Sequence, residues 1–333
     1  MIRDARVLRE DFIPREVEHR DTEVQQLSTV LEPAVEGRGP DNSFIFGPTG
    51  AGKTCISRYV VEKLQEQALD VEFEYINCWK DYSRFKVLYR ILEGINKTVD
   101  IHRRSTPKDE LLERIDGYDE SPYVVILDEV DQLEDTDVLY DLYLQPNIGM
   151  LMVGNREEEL FAEMDERVVS RLKPSMTIRF DRYTVNELAS ILRDRVDWGL
   201  ERNAVPEPQL ERIADLAAGD ARVAIGILRA AARKAETEGV EQLDDQIIEE
   251  AVPEARSEIR DKNLDKMNDD QSVLYEIIKG EGTVAPGTLY DRYRENVEDP
   301  VTKRTVRNYL KKMCRYDIIE SQGSNRGRKY TVE

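Results

Sequence analysis

Ser43-Phe44-Ile45-Phe46-Gly47-Pro48-Thr49-Gly50-Ala51-Gly52-Lys53-Thr54 decides the fold of this 333-residue chain. The stretch fits the phosphate-binding pattern G-x-x-x-x-G-K-[ST] between an apolar strand and a helical run, Cys55 to Ala68. Glycines let the backbone curl so that its N–H groups point inward at a nucleotide's phosphates, at the positive end of a helix dipole. Lys53 then reaches the β- and γ-phosphates, and the Thr54 hydroxyl is offered to Mg²⁺. A glycine-rich turn that binds nothing would not need this strand–loop–helix context. The stretch predicts a site for a nucleoside triphosphate, with ATP and Mg²⁺ as cofactors.

About 75 residues later, Tyr123-Val124-Val125-Ile126-Leu127 is a fully apolar strand that ends in Asp128-Glu129, the Walker B pattern. Asp128 is the candidate to hold Mg²⁺, with Thr54. Glu129 is the candidate to orient the attacking water and accept its proton. Another apolar strand, Met150 to Val153, ends at Gly154-Asn155, where a polar side chain between the two motifs can bond the γ-phosphate or the lytic water. Arg171 in Arg167-Val168-Val169-Ser170-Arg171-Leu172 and Arg222 in Gly219-Asp220-Ala221-Arg222 supply planar, permanently charged forks suited to phosphate oxygens. For either arginine alone, a surface ion pair is the commoner role.

Strands expected at Ser43–Phe46, Val71–Ile76, Tyr123–Leu127, Ile148–Val153 and Met176–Phe180 alternate with helices, which predicts an α/β domain with a parallel sheet over residues 1–182. Helical patterns alone follow (Asn186–Leu200, Glu207–Ala218, Ala221–Glu238, Asp244–Glu254), an all-α lid over 183–256. A polar stretch from Ser257 to Asp270 reads as a helix end plus linker. In residues 271–333, three short helices (Gln271–Lys279, Gly287–Asn296, Val301–Arg315) precede a hairpin of Ile318–Gln322 and Arg328–Val332. That is the composition of a winged helix, a helix-turn-helix variant.

Charge separates the last module from the rest. The chain carries a net −20, yet Leu264–Glu333 holds 13 basic against 12 acidic residues, and Val301–Tyr330 nine against two. On the third helix Val306, Leu310 and Met313 form a core face, while Arg304, Asn308, Lys311 and Arg315 line an adjacent stripe. Lys303 and Arg307 flank it, and Arg326 and Arg328 sit at the hairpin tip. These residues are candidates to bind double-stranded DNA, the helix in the major groove and the tip on phosphates or a minor groove. The acidic body, with arginine far outnumbering lysine, suits a protein adapted to high internal salt.

No 18-residue apolar span and no signal-peptide core is present, which argues against a membrane and for a cytoplasmic protein. Three isolated cysteines (Cys55, Cys78, Cys314) and two histidines suggest neither a disulfide framework nor a zinc site.

The order of phosphate loop, Walker B, sensor asparagine, Ser-Arg finger and lid arginine resembles an AAA+ ATPase. More narrowly, the chain resembles the archaeal origin-recognition/cell-division-control replication initiators. Asp11-Phe12-Ile13-Pro14 with His19-Arg20, Pro40-Asp41-Asn42, Tyr75-Ile76-Asn77-Cys78 and Asp128-Glu129-Val130-Asp131-Gln132-Leu133 carry that resemblance. So do Ser170-Arg171-Leu172, Phe180 with Tyr183, Glu187-Leu188 through Arg195, and Gly219-Asp220-Ala221-Arg222. The resemblance implies that Ile13, Pro14 and Arg20 belong to an N-terminal segment folded over the adenine. It implies that Tyr183 and Arg195 contact the nucleotide from the lid side, and that Arg222 is the lid sensor. Arg171 becomes a finger offered to a neighbouring subunit's nucleotide. The initiators' helical insertion falls within Lys97–Tyr118. Origin DNA, the replicative helicase and other initiator subunits are the implied partners, with ATP hydrolysis as a slow switch. Two alternatives remain open: a nucleotide-responsive DNA-binding regulator or plasmid paralogue with little turnover, and an AAA+ ATPase whose winged helix binds protein.

Overall fold

The structure, a computed structural model, describes residues 1–68, 70–102, 106–323 and 327–332. It divides into two compact units, Met1–Val252 and Pro253–Glu333.

In the first unit α1 (Asp21–Val35) leads to β1 (Ser43–Phe46), α2 (Lys53–Gln67), β2 (Glu72–Asn77), α3 (Arg84–Gly94) and α4 (Lys108–Asp116). β3 (Tyr123–Asp128), α5 (Asp137–Tyr143), β4 (Ile148–Gly154), α6 (Glu157–Glu163), α7 (Glu166–Leu172) and β5 (Met176–Arg179) follow. The five strands form one parallel sheet in the order β2-β3-β4-β1-β5. Side chains alternate between its faces, so both faces need an apolar cover. Phe44, Phe46, Val125, Leu127, Met150 and Met152 pack with buried residues of α3 to α7. Ile45, Val124, Ile126, Leu151, Val153 and Ile178 pack with Leu27, Val30 and Leu31 of α1 and Ile56, Val60 and Leu64 of α2. Burial on both sides is why β1, β3 and β4 read as unbroken apolar runs rather than alternating ones. Because β4 lies between β1 and β3, the residue after its end stands between the phosphate loop and the Walker B strand.

The remainder of this unit is helical: α8 (Val185–Gly199), α9 (Glu207–Leu216), α10 (Ala221–Glu238) and the start of α11 (Asp245–Leu264). Local sequence fixes where these helices begin. Thr184 and Glu187 close a capping box on α8, and Asp220 accepts from the backbone N–H groups of Arg222 and Val223 to cap α10.

In the second unit α12 (Asp269–Glu281), β6 (Thr283–Val284), α13 (Pro286–Asn296), α14 (Lys303–Arg315), β7 (Glu320–Gln322) and β8 (Lys329–Thr331) follow in order. The strands form a three-stranded antiparallel sheet, β6-β8-β7; β6 adds a strand to the expected hairpin. The Ser257–Asp270 stretch is helical as far as Leu264, and α12 begins at Asp269. Near the end of α11 Asn263 is buried, and its amide donates to the Tyr316 carbonyl just past the end of α14 at 3.1 Å. A polar residue hidden in this way supports packing that its chemistry alone does not announce. Among the described residues no helix is long and apolar enough to cross a membrane.

Candidate active site

The Gly47–Thr54 loop leaves the end of β1 and runs directly into α2, whose first residue is Lys53 rather than Cys55. Two of its glycines are required by close approach. Gly50 (φ +75°) and Gly52 (φ +92°) adopt left-handed backbone, and a methyl group on them would collide with the Asp220 carboxylate and the Tyr183 hydroxyl respectively. The Ala221 N–H also donates to the Gly50 carbonyl at 3.0 Å. The phosphate loop is thus covered by the start of α10 and by Tyr183.

Lys53 is buried, and its ammonium donates to the carbonyls of Gly47 (2.7 Å) and Pro48 (2.8 Å) and to Asn155 Oδ1 (3.3 Å). Burial lowers its pKa to about 8, although the nearby Asp128 charge pulls the other way. Asn155 therefore meets the lysine from the strand between the two motifs. Across that strand, Asp128 Oδ2 accepts from the Thr54 hydroxyl at 3.0 Å, and Oδ1 accepts from the backbone N–H of Glu129 at 3.0 Å. Glu129 follows in left-handed backbone (φ +56°), uncommon for a residue with a side chain and a form of strain that concentrates at functional sites. Thr54 and Asp128 supply hard oxygen donors, which suits Mg²⁺. Mg²⁺ ordinarily takes few protein ligands and fills its octahedron with phosphate oxygens and water. No group of three or more His, Cys, Asp or Glu that could hold a metal ion occurs among the described residues.

Arg222 pairs with Asp220 at 3.1 Å, and its charge is felt by Lys53. Arg20 is buried and donates to the carbonyls of Ala51 (3.1 Å) and Asp181 (2.7 Å), its guanidinium 4.1 Å from the Tyr183 ring centroid. Ile13 and Pro14 are half-buried in the segment leading to it. Arg195 meets the N-terminal segment. Its buried guanidinium donates to the carbonyls of Val7 (2.5 Å), Arg9 (3.2 Å) and Phe12 (3.1 Å), so it holds the N-terminal segment against the lid. Arg171 is exposed in the last turn of α7. Within the implied insertion, α4 accounts for Lys108–Asp116, and residues 103–105 lie outside the described part. The sequence reading missed Tyr75, whose hydroxyl donates to Asp128 Oδ2 at 2.7 Å. Only strand register reveals it, by setting Asn77 opposite Asp128.

In the second unit Val306, Tyr309, Leu310 and Met313 bury one face of α14, each such side chain contributing roughly 1.5–3 kcal/mol. Lys303, Arg304, Arg307, Asn308 and Lys311 are exposed, as is Arg328; Arg315 is half-buried, and Arg326 lies outside the described residues. Lys303 sits 4.9 Å from the Tyr290 ring centroid.

Comparison with known proteins converges with this geometry. Residues 37–161 match the AAA domain family, and residues 189–257 match the Cdc6 AAA+ ATPase-type lid domain. ORC1-type DNA replication protein 9 of Halobacterium salinarum is 50% identical over 332 residues, covering 100% of this chain and 94% of the relative. ORC1-type DNA replication protein 1 of the same organism is 52% identical over 308 residues, covering 92% and 100%. Among solved structures, the Aeropyrum pernix ORC1 protein in complex with DNA aligns with a TM-score of 0.76 at 25% identity, covering 99% of this chain and 93% of that one. Cdc6p from Pyrobaculum aerophilum shares the fold at a TM-score of 0.67 and 21% identity, covering 100% and 94%. The chain is therefore an AAA+ ATPase with a nucleotide-binding core and lid. With half its residues shared along its whole length, it belongs to the ORC1-type DNA replication proteins and acts as a replication initiator.

Proposed function

We propose that this initiator binds origin DNA through its C-terminal unit and uses ATP as a switch to regulate initiation and loading of the replicative helicase. The observation that carries the reading is the exposed basic face of α14, in an otherwise strongly acidic chain that also bears an ATPase site. The order helix–strand–helix–helix–strand–strand is that of a winged helix, and α14 is its recognition helix. Lys303, Arg304, Arg307, Asn308 and Lys311 face the major groove, while Arg328 and Arg326 reach the flanking backbone.

At the nucleotide, the backbone N–H groups of Gly47, Thr49, Gly50, Ala51, Gly52, Lys53 and Thr54 surround the phosphates, with Pro48 in the same loop. Proline itself has no N–H to donate. Lys53 leaves the carbonyls of Gly47 and Pro48 for the β- and γ-phosphates. Thr54 and Asp128 hold Mg²⁺, which when bound neutralises charge on the phosphate oxygens. Glu129 orients the attacking water and takes its proton, and Asn155 fixes the γ-phosphate or that water. Arg222 exchanges Asp220 for phosphate, which links the lid to the state of the nucleotide. Arg20, Ile13 and Pro14 form the adenine end with Tyr183, and Arg195 acts there by holding the N-terminal segment in place. Arg171 reaches the nucleotide of a neighbouring initiator subunit. Each nucleotide state then favours a different lid position, so hydrolysis changes state rather than drives a motor.

The test is genome-wide occupancy of the tagged protein in its own cells, beside an Arg304→Ala/Arg307→Ala variant. Sharp peaks where replication starts, lost in the variant, are the expected result. Peaks at promoters alone would turn the reading to a transcriptional regulator. An absence of peaks would turn it to a winged helix that binds protein.

A further inference from the structure

Asp128 is held by more than its own loop. Its Oδ2 accepts from both the Thr54 hydroxyl (3.0 Å) and the Tyr75 hydroxyl (2.7 Å), and its Oδ1 accepts from the Glu129 N–H. Thr54 and Glu129 belong to the two nucleotide motifs. Tyr75 does not: it comes from the edge strand β2, two residues before Asn77, which pairs with Asp128 in the sheet.

Tyr75 is half-buried, and the Arg58 guanidinium, one helical turn beyond the phosphate loop, lies 5.6 Å from its ring centroid. A carboxylate only accepts, so in the 2.7 Å contact the phenol O–H is the donor and Asp128 Oδ2 the acceptor. At the end of the same strand Asn77 Oδ1 accepts from the backbone N–H groups of Trp79 (3.0 Å) and Lys80 (3.3 Å), which fixes the turn beside Asp128.

We propose that Tyr75 is a positioning residue of the ATPase site, its hydroxyl holding the Asp128 carboxylate in the orientation a nucleotide-bound metal ion requires. This rests on reading Asp128 as a holder of that ion. Hydrogen bonds to a ligating carboxylate orient it, and removing such partners commonly costs about 10–100-fold in metal affinity or activity. Tyr75→Phe deletes one hydrogen bond while keeping the ring and its packing.

The experiment titrates Mg²⁺, and Mn²⁺ followed by electron paramagnetic resonance, into the full chain with a fluorescent non-hydrolysable ATP analogue. Wild type, Tyr75→Phe and Asp128→Asn are compared. In Tyr75→Phe the metal midpoint is expected to rise about tenfold, with metal-free nucleotide affinity and melting temperature close to wild type. A midpoint moved by Asp128→Asn but not by Tyr75→Phe would overturn the positioning role and leave the site reading intact. A midpoint moved by neither would remove Asp128 as the metal holder and the positioning role with it. A lower melting temperature with an unmoved midpoint would make Tyr75 merely structural, and would also overturn the proposal.

Discussion

The two units use basic residues in opposite ways. Around the nucleotide site Lys53, Arg20 and Arg195 are each less than a tenth exposed, and each donates to backbone carbonyls. On α14 Lys303, Arg304, Arg307 and Lys311 are exposed, on a helix whose other face, Lys312 included, is buried. A buried charge acts on one atom at short range; its effect depends on geometry and is little screened by salt. An exposed charge acts through the field it shares with its neighbours and weakens as salt rises. Substitutions in the first unit should therefore act as steps, and those in the second as slopes.

The largest steps are expected at the site itself. Lys53→Ala removes a buried cation from the phosphates and is expected to weaken nucleotide binding by about a hundredfold or more, measured by calorimetry. Glu129→Gln keeps the shape and loses the base. Bound ATP should persist with affinity within about threefold of wild type, while hydrolysis falls by about 10²–10⁴-fold. Turnover near wild type in Glu129→Gln would move the base elsewhere and break the contrast at its strongest point.

The same contrast governs what the sequence discloses. The phosphate loop, Asp128-Glu129 and Asn155 are legible because their spacing is a local pattern and their strands are buried on both faces. Arg195 is not: an arginine on an amphipathic helix reads alike whether it meets phosphate or the carbonyls of Val7, Arg9 and Phe12. Tyr75 reads as one more aromatic strand residue, because its bond to Asp128 arises from the pairing of β2 with β3. Strand β6 has only two residues and exists through its pairing with β8, so no periodicity announces it. The face of α14 is legible from charge alone, since a helix buried on one side must show its other residues to solvent.

Slopes come next in size. Arg304→Ala/Arg307→Ala is expected to weaken binding of duplex DNA by about tenfold or more at low salt. It should also flatten the dependence of log affinity on log salt by about two if both arginines meet phosphates. ATP hydrolysis in the absence of DNA should be unchanged. An unchanged salt slope with weakened binding would instead assign the pair to base edges, and unchanged binding would move the contact off α14.

The smallest effect tests whether the Lys53 step has a slope of its own. With its pKa lowered to about 8 by burial, Lys53 in the free protein loses its proton as pH rises through 8. Phosphates beside it favour the charged form, so its pKa in the nucleotide complex is higher. Below pH 8 both states carry the proton, and affinity for ADP should be level. Above pH 8 binding must take up a proton, and affinity should fall by up to about tenfold per pH unit until the pKa of the complex is reached. The lowered pKa has the opposite sign for the free fold: the buried charge opposes folding at neutral pH, and that cost is relieved as pH rises from 8 towards the unfolded value. Titrating ADP affinity from about pH 6.5 to 9.5 at constant salt, with Lys53→Arg alongside, isolates the lysine, because a guanidinium stays charged throughout. A level wild-type profile would mean that Lys53 is charged before the phosphates arrive. The carbonyls of Gly47 and Pro48 would then already stabilise the ammonium as well as a ligand does, and the difference between buried and exposed cations would lie in geometry rather than in protonation.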